Sequence, residues 1–379
     1  MNSKQRVRAV MAGEACAHPV VSLYVSWPEY GWRFSGHPCW ELILGDVDAL
    51  PVHDRLFQRH PSDFAAGPVD RMGNRWALDK IIECETPEGV HFRCPKTGRR
   101  WLFRQDSHVL TEIHAETETI RTVEEAGGSV PRTVAEAEDW FRRRYGGASA
   151  APAHDPACDR AIQRWGRDLF MVTCTLSPFV AVVYALGYEP ALTLLAESPR
   201  VFARLEELHL EYYAAHYEWA ALAGYDGGHM VDSYTGADTI SPATYRDWVA
   251  PIHRQCAAMI HRCGLLADLY LPGYMMPMLT DLRGQGWDAI RLEDRCKGIE
   301  QDIGEIRRVL GSDQCLFGNM DAYALLRGDW SEIAARARYQ WEVAGRTGPF
   351  IISNGSGLCD ATEPAIVDRW LDYARALAS

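Results

Sequence analysis

The chain has 379 residues, of which 47% are hydrophobic and 24% are charged, so it can form one large domain or two ordinary ones. Its formal net charge of -12 disfavours proteins that follow phosphate backbones, because those need a basic face, and we expect no nucleic-acid partner. No stretch approaches the roughly 20 apolar residues of a membrane helix, and the N-terminus lacks the apolar core of a signal peptide. We therefore expect a soluble, cytoplasmic protein without membrane contact.

The eleven cysteines are scattered, and no two of them have the CxxC spacing of zinc ribbons and redox proteins. We interpret most of them as small buried hydrophobic side chains. The nearest approach to ligand spacing is the HPC sequence at residues 37–39, which lacks a second pair to complete four ligands. We therefore expect no metal site of the common kinds. An unusual set drawn from this loop, Asp232, Glu293 and Cys359 remains open.

A first strand is predicted over His18–Val25, after an N-terminal helical extension. Trp27, Tyr30, Trp32 and Trp40 follow it and could wall a pocket for a flat or methylated substrate. A loop that packs under its own aromatic side chains explains them equally well. Trp27 is the member of this group that we predict to contact the substrate.

Residues 68–120 contain short alternating stretches separated by turns, which predict a small antiparallel sheet inserted near the active-site end of the fold. Residues 146–159 are rich in alanine, glycine and proline and predict a linker into the second half of the chain.

From Asp168 onward, short apolar runs alternate with amphipathic helices. The runs cover residues 168–179, 227–236, 267–273, 289–295, 315–322 and 349–357. The helices are predicted over Pro199 to Leu222, Ser241 to Cys263, Met275 to Gln285, Gly298 to Leu310, Trp330 to Ala344 and Glu363 to Ala378. Strand alternating with helix implies parallel strands with right-handed crossovers.

Together with the first strand, these units predict a closed (β/α)8 barrel of the α/β class that forms one domain over residues 1–379. An open dinucleotide-binding sheet is disfavoured, because no GxGxxG turn follows any strand. In such barrels the active site lies at the carboxyl ends of the strands, so the residues that end each run are the candidates.

Two acids and two tyrosines are the predicted catalytic residues. Asp232 and Glu293 end strongly apolar runs, where partial burial at the barrel mouth would raise their pKa values into the range of a proton donor or acceptor. Tyr184 and Tyr270 could donate a phenolic hydrogen bond to a substrate oxygen, although apolar packing with the hydroxyl at a wet edge is at least as consistent.

The other strand-end residues are the predicted substrate contacts. They are Ser233, Tyr234, Asn319, Asp321, Asn354 and Ser356. Each has a structural alternative, since Asp, Asn and Ser at strand ends often cap the next helix or form its turn.

The strand-end loops resemble those of the uroporphyrinogen decarboxylase superfamily, which includes corrinoid and coenzyme M methyltransferases. The residues that carry the resemblance are DSYTGADTISPATYRDWVAPIH, GLLADLYLPG, GWDAIRLED, LFGNMDA and FIISNGSGLCDATEP. RVRAVMAGE near the start and DRMGNRW in the insertion are similar to the methyltransferase branch. The resemblance spans nearly the whole chain and implies a (β/α)8 barrel.

Departures from the family pattern narrow what the resemblance implies. The arginine-rich N-terminal segment of the decarboxylase is replaced by YVSWPEYGW, and its last-loop histidine corresponds to Ser356, so a tetrapyrrole with eight carboxylates is a poor candidate substrate. The zinc ligands of the thiol-methylating relatives correspond to Tyr270, Pro272 and Ser356 here, so that zinc site is lost.

The leading hypothesis is a methyltransferase of the substrate-demethylating type. It would move a methyl group from a small O-methyl donor, which could be aromatic, to a corrinoid (cobalamin) on a partner protein that docks at the barrel mouth. Family precedent also allows a homodimer.

Two alternatives remain open. The first is a metal-free decarboxylase or lyase with Asp232 and Tyr184 at its centre, which Arg291 or Arg295 would favour, because a substrate carboxylate needs a cation. The second is a degenerate barrel without catalytic activity, which fits the lost zinc ligands directly.

Overall fold

The computed structural model describes the fold over most of the chain. The described residues are 1–14, 16, 18–25, 30–37, 40–41, 48–66, 81–93, 95, 98–104, 109–113, 130–149 and 156–378. Trp27 lies outside them, so its predicted substrate contact remains a prediction.

Eight parallel strands form one sheet in which chain neighbours are spatial neighbours. They are β1 (Val20–Ser22), β2 (Phe64–Ala66), β3 (Phe170–Leu176), β4 (Gly227–Val231), β5 (Leu266–Leu271), β6 (Ala289–Leu292), β7 (Cys315–Phe317) and β8 (Phe350–Ser353). β8 pairs with β1, and the Asp63 amide donates to the Val21 carbonyl at 2.8 Å, so the first two strands also meet. The sheet is a nearly closed barrel, and the predicted (β/α)8 fold is confirmed.

Helices surround the barrel. The longer ones are Ala49–Arg59, Val134–Tyr145, Pro156–Trp165, Pro178–Leu186, Tyr188–Glu197, Pro199–Ala223, Ala250–Arg262, Ile303–Leu310, Trp330–Gln340 and Pro364–Ala378. Shorter ones are Pro242–Thr244, Leu279–Leu282 and Ala322–Arg327. Several begin at side-chain caps: the Ser177 and Ser241 hydroxyls accept backbone N–H bonds in the first turns.

One predicted helix begins too early. The sequence predicts a helix from Gly298 to Leu310, but Arg295–Cys296 and Ile299–Glu300 pair as a short antiparallel hairpin, and the helix begins only at Ile303. Lys297 and Gly298 form its turn with φ angles of 49° and 83°, a left-handed conformation incompatible with a helix. The Asp302 carboxylate caps the helix by accepting from the Glu305 amide.

The predicted antiparallel insertion is present as four strands, Ile81–Thr86, Gly89–Arg93, Arg100–Arg104 and Val109–Ile113. Its predicted position near the barrel mouth remains a prediction. The helix Pro156–Trp165 begins inside the predicted linker, because Pro156 suits the first turn of a helix.

The amino-terminal end of the barrel is closed by an apolar cluster and by the predicted N-terminal helix, Ser3–Met11. The strand residues of this cluster are Val20, Phe64, Phe170, Val172, Ala289, Cys315, Phe317 and Ile351. Val7, Val10 and Met11 of the helix pack on them. Salt bridges from Arg6 to Asp63 at 2.5 Å and from Arg8 to Asp226 at 2.6 Å fix the helix across the strand ends.

Within the described ranges, no single helix has the length and hydropathy to cross a bilayer, and only the pair Pro178–Leu186 and Tyr188–Glu197, bent by 114°, meets both criteria together.

Candidate functional site

Above the apolar cluster, the inner face of the barrel is polar. Ala289 and Cys315 belong to the interior cluster, and strand register pairs Asp268 with Ala289 and Tyr270 with Arg291. Since side chains alternate between the two faces of a strand, Asp268 and Tyr270 share the inner face with Arg291. His229, the register partner of Asp268 on β4, lies there too.

His229 and Asp268 form a hydrogen-bonded pair on this face. The His229 Nδ1 lies 2.9 Å from Asp268 Oδ1, which favours the tautomer or ion with a proton on Nδ1. The imidazole stacks on the Tyr270 ring at a centroid distance of 6.2 Å. The His229 side chain retains 12% of its surface, so it is not fully enclosed by its neighbours.

Arg291 extends across the interior from β6 to β1. Its Nη2 donates to the Ser22 hydroxyl at 3.0 Å, and its guanidinium lies 4.2 Å from the Phe317 ring centroid and 5.1 Å from that of Tyr24. Burial lowers the pKa of Arg291, and the charge of Asp268 opposes that shift. A buried cation therefore lies at the depth of the polar layer.

Tyr270 and Glu293 lie nearer the mouth. The Tyr270 hydroxyl donates to Glu293 Oε1 at 3.1 Å. Burial raises the pKa of Glu293 to about 7; the Tyr270 hydrogen bond opposes the shift, and the charges of Asp294 and Asp238 add to it. Burial also raises the pKa of Tyr270 well above its usual value, so the phenol stays protonated. Glu293 can thus hold or release a proton near neutral pH, as the sequence predicts.

Asp232 does not lie with Glu293, and the expectation that it faces the barrel mouth is wrong. It is one residue past Val231, the register partner of Tyr270, so its side chain points to the opposite face of the sheet. There Asp232 Oδ2 accepts a very short hydrogen bond from His253 Nε2, and both side chains are fully buried under the helix Ala250–Arg262. The acid lies in the layer between sheet and helices, closed to substrate.

Tyr184 and Tyr234 contact each other at a ring-centroid distance of 5.4 Å, and Tyr234 also contacts Tyr188. These rings form an aromatic group beyond the ends of β3 and β4. Ser233 is partly exposed in the turn beside them. The catalytic role predicted for Tyr184 and the substrate contacts predicted for Ser233 and Tyr234 remain predictions.

Three of the other predicted substrate contacts make structural hydrogen bonds. The Asn319 amide donates to the Glu293 carbonyl at 3.4 Å. The Asp321 carboxylate caps the helix Ala322–Arg327. Asn354 Oδ1 accepts from the Tyr24 amide at 2.9 Å, and its Nδ2 donates to the Tyr24 carbonyl. These three residues therefore make structural hydrogen bonds, which is the alternative to substrate contact that the sequence left open.

Ser356 lies in a loop packed against Glu293. At Gly355, an added Cβ would lie 3.1 Å from Glu293 Cα and 3.3 Å from Asn319 Cα, so a larger residue would require the neighbouring backbone to shift by a few tenths of an ångström. Ser356 is partly exposed beside that contact and remains available to a polar atom of a ligand.

In the part of the chain that the structure describes, no three His, Cys, Asp or Glu side chains lie close enough together to hold a metal ion. His37 pairs with Glu41, and Cys39 is outside the described residues. Cys359 precedes the helix Pro364–Ala378 by five residues, and burial raises the pKa of its thiol, which disfavours the thiolate that a helix terminus would have stabilised.

Ser22, Tyr24, His229 and Asp268 also belong to this site, although the sequence predicts no catalytic or binding role for them. A signal was present: His229 in β4, Asp268 and Tyr270 in β5 and Arg291 in β6 interrupt runs that are normally apolar throughout in parallel strands. The strand register puts these four polar side chains on the same face, inside the barrel.

Three comparisons place this chain among known proteins. Residues 103–377, well over half of its length, match the family model described as uroporphyrinogen decarboxylase (URO-D). A methyltransferase from Methanosarcina mazei superposes over 100% of both chains with a TM-score of 0.67 at 15% identity, which shows a shared fold. A xylose isomerase-like TIM barrel protein from Mycobacterium smegmatis, in complex with magnesium, matches 69% of this chain and 93% of its own, at 11% identity and a TM-score of 0.35. No curated protein matches in sequence.

Proposed function

Because the chain belongs to the uroporphyrinogen decarboxylase family, we propose that it is a methyltransferase of the substrate-demethylating type. It would move a methyl group from a small O-methyl donor to a corrinoid carried by a partner protein. The single observation that supports this best is the pair of Tyr270 and Glu293, with a carboxyl group whose pKa of about 7 makes it a proton donor at neutral pH.

The chemistry requires a proton at the oxygen that loses its methyl group. The reduced corrinoid, here a substrate, supplies the electron pair for the new bond to the methyl carbon. The carbon–oxygen bond breaks, its electron pair stays on the oxygen, and that oxygen takes the proton of Glu293. Such general acid catalysis contributes about 10²- to 10⁴-fold to a rate. The charged carboxylate that remains accepts the Tyr270 hydrogen bond.

The fold supports docking of the acceptor at the barrel mouth, since the amino-terminal end is closed by the helix Ser3–Met11. The zinc-bound thiol activation of relatives does not fit, because Pro272 has no ligand atom in its side chain and Tyr270 is hydrogen-bonded to Glu293. No step in this proposal uses that metal.

The test is to incubate the protein with chemically reduced cobalamin and a panel of methyl donors. The panel comprises methoxybenzoates, methoxyphenols, methoxybenzenes and small aliphatic methyl ethers, with a reaction lacking protein as control. We expect the absorption spectrum of the methylated corrinoid and one equivalent of the demethylated alcohol from at least one donor. If no donor in the panel gives methylated corrinoid, the proposal is contradicted. Release of carbon dioxide from a carboxylated member would favour the decarboxylase alternative.

A further inference from the structure

The guanidinium of Arg291 has more hydrogen-bond donors than partners. Of its five N–H groups, one bonds Ser22, whereas Nε and Nη1, which carry three, are buried without a partner. Arg291 itself is 4% exposed. Buried charged groups in proteins are normally fully hydrogen-bonded, and each buried donor without a partner carries a desolvation penalty. This arginine therefore has the capacity to bind a further group.

The neighbours of Arg291 leave that capacity unused. The Phe317 and Tyr24 rings stabilise the charge through their faces but offer no hydrogen-bond partner to the three N–H groups on Nε and Nη1. Asp268 faces the same interior, yet its Oδ1 pairs with His229 Nδ1, and no hydrogen bond joins it to Arg291 among the described residues. The inner face thus holds a cation without a hydrogen-bonded anion.

We propose that the substrate carries a carboxylate that binds Arg291, so that the donor is a methoxy-substituted aromatic carboxylic acid. This assignment rests on the proposed function and names its substrate class. The guanidinium presents an edge of parallel N–H groups that matches a carboxylate. Arg291 is the one lysine or arginine on the inner face of the described strands, and a single positive charge suits a monoanion better than a phosphate dianion.

The spacing along β6 orients such a ligand. Glu293 follows Arg291 by two residues at the end of β6, which separates them by about 6.6 Å along the strand direction and puts both side chains on the inner face. A benzene ring can bridge groups at this separation. The carboxylate then lies at the depth of Arg291 and Ser22, the ring lies among Tyr24, Tyr270 and His229, and the methoxy oxygen faces Glu293.

The Tyr24 ring lies over Arg291, with its centroid 5.1 Å from the guanidinium carbon. The Tyr24 ring lies just past the end of β1, while its backbone amide and carbonyl are both held by Asn354. We expect rotation of the Tyr24 side chain, with its backbone held in place, to admit a ligand to the guanidinium.

The experiment measures binding of matched ligands by calorimetry, without corrinoid. The ligands are 3-methoxybenzoate, its unmethylated analogue 3-hydroxybenzoate, and the neutral 3-methoxybenzyl alcohol. We expect the wild-type protein to bind both acids roughly 10- to 150-fold more tightly than the alcohol, as for a hydrogen bond to a charged group. Arg291→Gln should remove this preference, Arg291→Lys should keep part of it, and Arg295→Gln, at a partly exposed arginine paired with Glu300, should keep all of it.

The outcomes separate this inference from the proposed function. Equal affinity for acid and alcohol, or no binding of either acid, overturns the inference even if methyl transfer from a neutral ether is found. Tight binding of both acids with no methyl transfer supports the carboxylate site and contradicts the methyltransferase. The wild-type comparison needs no variant, so a folding defect in Arg291→Gln does not weaken the test.

Discussion

Two buried groups of ionisable side chains lie on opposite faces of the same strands, and they differ in access. On the outer face, the side chains of Asp232 and His253 have no exposed surface. On the inner face, His229 retains some exposure, and Glu293 is only partly buried. Both strand-end acids follow apolar runs, so burial beside an apolar run does not identify a catalytic acid. The face of the strand decides whether an acid can reach a substrate.

The largest expected effect is on the inner face. Glu293→Gln removes the proton donor and should lower kcat for methyl transfer by about 10²- to 10⁴-fold, measured as formation of methylated corrinoid. Because burial raises the pKa of Glu293 from 4.5 to about 7, the folded protein binds an extra proton, and its stability falls as pH rises through that interval. The stability of Glu293→Gln should not show the decrease with pH that the titration of Glu293 causes. Its thermal midpoint at pH 8 should therefore match or exceed that of the wild type. Unchanged kcat would exclude Glu293 as the acid.

A substitution on the outer face should change the stability of the protein and not its activity. Asp232→Ala leaves His253 buried without its partner and should lower the free energy of unfolding by about 1–3 kcal/mol, measured by urea denaturation. The folded variant should keep kcat within about twofold, because Asp232 does not reach the barrel interior. A loss of kcat as large as that of Glu293→Gln, with stability preserved, would restore the catalytic role that the sequence predicts for Asp232.

A smaller effect tests the hydrogen bond at the mouth. Tyr270→Phe removes the donor that favours the charged form of Glu293, so the pKa of Glu293 should rise. The high-pH limb of the kcat profile should move up by about one pH unit, since one unit corresponds to about 1.4 kcal/mol, comparable to such a bond. Tyr339→Phe, which removes the hydroxyl that donates to exposed Asp302, is the matched control. An unshifted limb would mean that another group titrates.

The fold was largely predictable because its signals are local. Alternating apolar runs and helices specify the barrel, and hydroxyl caps such as Ser241 locate helix starts. Only some residues of the site could be predicted from the sequence. Glu293 and Tyr270 could be identified as strand-end polar residues, but the structural hydrogen bonds of Asn354 depend on Tyr24, which is 330 residues away in sequence. Such pairings are set by barrel closure, which no local pattern encodes.

The parity of a strand, meaning which of its alternate residues face the barrel interior, explains why the prediction for Asp232 was wrong. The sequence shows where β4 ends only to within a residue or two, and a change of one residue exchanges the two faces. The isolated polar residue inside β4 would have fixed the parity, since His229 and Val231 share a face and Asp232 takes the other.

The helix Ser3–Met11 has a consequence for kinetics. By closing one end of the barrel with Val7, Val10 and Met11, it leaves the carboxyl ends of the strands as the opening to the interior among the described residues. If the methyl donor enters through that opening and the corrinoid partner then covers it, the donor must bind first and its demethylated product must leave last. Initial-rate measurements should then follow a compulsory order, with the product competing against the methyl donor and not against the corrinoid protein.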